Sequence, residues 1–148
     1  MKLLPLLLLA LLAGSLIPFQ TALNSRLGAA LGNGVQATAA SFVVATLAML
    51  LLLAATQTAV PTMAQAGAVP PLAWLGGVLG AVYVTGVVFL APRLGVGSVT
   101  ILLIAGQVLS AMLIEHFGWL GAPQHPITAL RLAGVGLLVV GILAIRRV

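Results

Sequence analysis

Gln20 and Asn24 stand four residues apart in an otherwise apolar run, with Thr21 beside them and Arg26 just beyond. On a helix that spacing puts both amides on one face. Two stacked amides can line a cavity and offer donors and acceptors to a solute. Alternatively they bond a neighbouring helix, at about 0.6–2 kcal/mol. Pro18 lies just upstream and frees backbone groups one turn back, which can also bind a solute or ion. Gln107 falls in a second apolar run, with Ser110 on its side, and together they leave a small polar notch. Tyr83 sits midway through a third run, where its hydroxyl needs a partner; it either faces the same cavity or simply packs.

Glu115 is the chain's single acidic residue, and Arg131 opens the next apolar run at similar depth. An ion pair at the membrane edge is the plainest reading of the two. A proton-coupling carboxylate is the sharper one. Arg26 sits near a helix end, where it either snorkels to the interface or acts in gating. Glu115, His116 and His125 make a poor metal set, because helical neighbours point about 100° apart and His125 lies in a Pro-rich loop. No metal and no cofactor are expected. Neither histidine stands beside a mid-helix serine, and zinc-peptidase and dinucleotide fingerprints are missing, so an enzyme is not expected.

The composition says what must position these residues. Of 148 residues, 62% are hydrophobic and 5% charged, with a mean hydropathy of +1.29. Soluble domains carry about 25% charged residues, so this chain cannot cover a surface facing water. It reads as an all-α integral membrane protein. The net charge of +5 comes from scattered cations rather than a basic stripe, so nucleic acid is not an expected partner. The chain has no cysteine, which excludes thiol chemistry.

A bilayer core takes about 20 apolar residues per helix. Five segments qualify: 3–31, 35–56, 72–91, 96–117 and 127–145. Together they form a single transmembrane domain over 1–148. Between them lie the turn Gly32-Asn33-Gly34, a loop from Pro61 to Pro71, the short Pro92-Arg93-Leu94-Gly95, and the stretch from Gly118 to Pro126. The first segment resembles a secretory signal, with Ala13-Gly14-Ser15 as a cleavage site. One long helix, tilted or kinked at Pro18, is the better reading.

Small residues four apart (Gly28 and Gly32, Gly76 and Gly80, Gly106 and Ser110, with the row Ala73, Gly77, Ala81) suggest close helix packing. Trp74 and Trp119 read as interfacial anchors. With five helices the termini face opposite sides. Arg26, Arg93, Arg146 and Arg147 then oppose Lys2 and Arg131, which puts the N-terminus outside by a small margin. So weak a bias also allows insertion both ways round.

PFQTALNSRLG in the first segment, Ser41-Phe42 in the second and WLGGVLGAVYV in the third resemble one known family, as do APRLG after it. GQ and IEHFG in the fourth segment and RLAGVGLLVVG in the fifth continue the likeness, which covers essentially the whole chain. The family is the short five-helix bacterial YdcZ-type inner-membrane exporters of the drug/metabolite transporter superfamily. The resemblance implies a half-unit that pairs antiparallel with itself or with a paralogous half, giving ten helices. It implies a small-molecule substrate moved by alternating access, at a midplane cavity bordered by Gln20, Asn24 and Gln107. Four-helix multidrug relatives carry a glutamate mid-way along the first helix; Gln20 and Asn24 stand in that region here. A neutral, zwitterionic or anionic solute is therefore expected. The family usually shows Asp where Glu115 stands, which preserves charge. The competing expectation is a non-transporting scaffold or assembly partner whose contacts are lipid and a larger complex.

Overall fold

The structure, a computed structural model, describes residues 3–146, with side chains through 144. The side chains of Lys2, Arg146 and Arg147, which enter the charge argument, lie outside the described residues. Every regular element is helical: α1 (Leu3–Leu31), α2 (Gly34–Ala55), the short α3 (Met63–Gly67), α4 (Leu75–Leu94), α5 (Val96–Phe117) and α6 (Ala129–Arg146). Four of them are long and apolar enough to cross a membrane, α4 together with the 3-10 turn that precedes it. The apolar part of α6, Ala129–Ala144, is shorter. At 1.5 Å per residue it spans about 24 Å. Leu11 and Leu51 are 70% and 72% exposed, a surface that suits lipid and would aggregate in water.

The chain divides into two compact units, Met1–Arg93 and Leu94–Val148. In the first unit, α1 ends at Gly32 (φ +68) and α2 starts two residues later. Asn33 caps the new helix: its Oδ1 accepts from the Val35 and Gln36 amides at 2.8 and 3.2 Å. The tight turn lays α2 back against α1. A small apolar core of Ala37, Val84 and Val88 joins α2 to α4, with Leu27 and Tyr83 packed on it.

Gly28 makes this core possible. A Cβ placed there would lie 2.8 Å from Val88 Cγ1, well inside the about 3.5–4.0 Å at which carbons pack. Gly34 is almost as tight, at 3.1 Å from the Phe89 ring. Gly32, by contrast, ends a helix and touches nothing, so the Gly28–Gly32 pair is one contact and one stop. Gly80 meets Phe42 at 3.7 Å, whereas Gly76, Gly77 and Gly106 have open space around them.

The first unit departs from the expected outline in two places. The segment from Pro61 to Pro71 holds α3, whose start is a capping box: the Gln65 amide donates to Thr62 Oγ1, and the Thr62 amide donates to Gln65 Oε1. α4 also runs through Pro92 to Leu94. Near a helix end a proline removes a single backbone bond, and the Arg93 guanidinium donates to the Phe89 carbonyl at 2.6 Å. α1 contains Pro18 and stays one continuous helix.

In the second unit, Gly118 (φ +64) ends α5 with a left-handed cap. The loop that follows folds back on the helix end. The His125 amide donates to the Glu115 carbonyl at 2.9 Å, and the Ile127 amide donates to His116 Nδ1 at 3.2 Å.

Replacing Gly28 with valine should lower the unfolding free energy by about 1–3 kcal/mol, because branched Val88 cannot swing aside. Gly14→Ala, in open space on the same helix, should be neutral or stabilising by about 0.5–1 kcal/mol. Unfolding of both variants in detergent, followed by circular dichroism, checks this. Equal stability of Gly28→Val and the parent would contradict the packing.

Candidate functional site

α1 and α4 bring Gln20, Thr21, Asn24 and Tyr83 together around a cleft, with Val84 and Val87 as its apolar walls. Asn24 lies about 10 Å along α1 from the end at Leu31, and Gln20 about 16 Å. In a bilayer core about 30 Å thick, that depth is near the middle if the turn sits at one face. Thr21 and Asn24 are buried, Tyr83 is half-buried, and Gln20 is exposed. Space for the centre of a water-sized molecule amounts to about 10 Å³, enough for about one water. The cleft admits one functional group and no whole solute.

A seam of hydroxyls and one amide runs beside it. Ser41 Oγ donates to Asn24 Oδ1 at 2.8 Å, tying α2 to α1. Thr85 Oγ1 donates to Thr38 Oγ1 at 3.2 Å, tying α4 to α2. Thr38 in turn donates to the Gly34 carbonyl at 3.0 Å. In an apolar medium such bonds matter because the alternative is an unpaired polar group. Asn24 therefore bonds a neighbouring helix and borders the cleft at once. Sequence reasoning missed Thr38 and Thr85. Thr38 has Ser41 three residues on and Thr85 has Tyr83 two residues back, and neither threonine's position in the sequence points to the other.

A larger cleft of about 330 Å³ opens at the α1–α2 turn. Ser25, Asn33 and Arg93 supply its polar lining, but Asn33 is occupied capping α2 and Arg93 bonds Phe89. Arg26, two residues beyond Asn24, is exposed and does not border either cleft.

Gln107 and Ser110 belong to α5 in the second unit, where both are exposed and border neither of these clefts. At the end of α5 the Glu115 carboxylate pairs with the Arg131 guanidinium, each side chain 34% exposed. Arg131 also donates from Nη1 to the His125 carbonyl at 3.1 Å. The pair thus closes the loop that joins α5 to α6. Among the described residues, no cluster of three His, Cys, Asp or Glu could hold a metal ion.

The family described as "Putative inner membrane exporter, YdcZ" matches residues 5–144. That span takes in both units and every residue of the cleft. The chain belongs to this family. No curated protein and no solved structure matches it. Membership in the YdcZ family, together with the long apolar helices, makes this a multi-pass protein of the inner membrane. For a YdcZ-family chain the polar cleft is the feature of interest, since its apolar surroundings give amides little reason to be there.

Glu115→Gln and Arg131→Gln should each speed amide hydrogen exchange at His125 and Ile127, whose bonds hold the loop. The double variant should exchange no faster than either single one, as expected for partners in one pair. Fully additive effects would show that the two side chains act separately.

Proposed function

We propose that the chain is one half of a small-molecule secondary transporter, an exporter of the drug/metabolite transporter type, working as an antiparallel homodimer by alternating access. The observation that carries this reading is the cleft: four polar side chains meet at mid-depth on apolar helices, in a space too small for a solute. A second surface is needed to complete a chamber, and a second copy of the chain supplies one with the same chemistry. The family's printed description as an inner membrane exporter supports the same reading.

Two further features favour a dimer. Gln107 and Ser110 are exposed along an apolar helix, where polar groups facing lipid are costly; a partner copy covers them. Gly76, Gly77 and Gly106 have open space beside them, as a close-packing helix from another copy requires. In this reading α6 is the fifth span. Its apolar stretch of about 24 Å falls short of a 30 Å core by an amount that local thinning accommodates. Five spans put the termini on opposite sides, and the narrow cation balance lets copies insert both ways round. The substrate is neutral, zwitterionic or anionic, since no acidic side chain lines the cleft. Engagement of Glu115 with Arg131 favours a structural role for that acid over proton coupling.

In proteoliposomes loaded with a solute found by thermal-shift screening, Asn24→Leu and Gln107→Leu should each slow efflux by about tenfold or more, the cost of one lost polar contact. Membrane insertion and dimer formation should survive. Efflux at the parent rate from either variant removes that residue from the chamber. No flux for any stabilising solute, with an intact dimer, points to a scaffold. Single cysteines added at each terminus, labelled from both sides, report orientation; one orientation only would rule out the antiparallel homodimer.

A further inference from the structure

Asn24 is only 9% exposed, and the two ends of its amide are treated differently. Oδ1 accepts from Ser41 Oγ at 2.8 Å. Ser41 spends its one hydroxyl proton on this bond, whereas Thr38, Thr46 and Thr100 each donate to the carbonyl one turn back along their own helix. Nδ2 is bonded to no described residue. Yet among the described residues no sealed side-chain nitrogen or oxygen lacks a partner. Nδ2 is therefore not sealed, and Asn24 lines the cleft. The same holds for Thr21, which is 3% exposed and whose hydroxyl also has no described partner.

We propose that Ser41 is a positioning residue: it turns the Asn24 amide so that the cleft presents N–H donors and receives an oxygen acceptor, a carbonyl or carboxylate, at the leading end of the solute. The word solute rests on the transporter reading; the donor orientation does not. Had the amide been free to flip, it would serve donors and acceptors alike. With Oδ1 held by Ser41, an ammonium or amide N–H that meets Nδ2 faces a donor there, and its acceptors in the cleft are left to the Gln20 amide and the Thr21 and Tyr83 hydroxyls. An oxygen is satisfied by Nδ2 and by the Thr21 hydroxyl together. No charged side chain lines the cleft, so the acceptor is read by hydrogen bonds, and neutral carbonyls and carboxylates both qualify. Room for about one water limits the seat to that one group.

Benzamide, benzoate and benzylammonium share one ring and differ in the group offered, so they separate these cases. Purified protein in detergent should be stabilised by benzamide or benzoate in preference to benzylammonium. Which of the two acceptors binds better distinguishes a carbonyl from a carboxylate as the natural group. Ser41→Ala should reduce the acceptor preference by about tenfold, one hydrogen bond's worth of discrimination. Ser41→Thr, which keeps the hydroxyl, should restore it. Asn24→Asp, which replaces donors with an acceptor of the same shape, should invert it. A merely structural Ser41 would change melting temperature without changing the ratio between probes. An unchanged ratio in Ser41→Ala, equal binding of benzylammonium by the parent, or no binding of any probe overturns the proposal. Preference without flux in liposomes leaves this assignment standing and removes the transporter. Flux without preference does the reverse.

Discussion

A missing side chain at Gly28 sets the spacing on which the first unit depends. Because Val88 can press against the α1 backbone there, α4 comes close enough for Tyr83 and Val84 to face Thr21 and Asn24. The same approach seats Val84 and Val88 on Ala37 of α2. Without it the hydroxyls of Thr38 and Thr85 could not meet at 3.2 Å. In lipid no hydrophobic effect draws helices together, so close backbone approach and polar bonds do that work. Here they act in register: a glycine contact near the turn, then two hydrogen bonds deeper in.

Two groups of polar residues in the first unit differ by this geometry. Ser25, Thr46 and Thr56 return their protons to carbonyls of their own helices and ask nothing of a neighbouring helix. Gln20, Thr21, Asn24 and Tyr83 keep polar capacity turned into one narrow space. A membrane helix tolerates the first group at little cost. The second group is expensive to maintain in an apolar medium. In the second unit, Glu115, Arg131, His116 and His125 instead close the loop between α5 and α6.

Much of this was legible in the sequence where a local rule acts alone. Glycines at 32, 95 and 118 adopt positive φ and break the helices where the apolar runs pause. The spacing of Gln20 and Asn24 announces one shared face. The pairing of Glu115 with Arg131 is readable because the chain holds a single acid and the arginine opens the next run. Other features escaped because their cause is not local. Pro92 looks like a terminator, but it sits close enough to the end of α4 for the helix to continue past it. The Thr62–Gln65 capping box is a short-range signal hidden in a stretch dominated by proline and alanine. Thr38 and Thr85 are 47 positions apart, and nothing in either neighbourhood points to the other. Whether a glycine packs or merely ends a helix, as at Gly28 and Gly32, depends on what α4 brings across.

The turn at Asn33 bears on how such a protein enters the bilayer in the first place. Its side chain already satisfies two of the backbone amides exposed at the start of α2, so the hairpin tip carries a lighter load of bare polar groups. A tip relieved in this way costs less to carry through an apolar layer than an uncapped bend would.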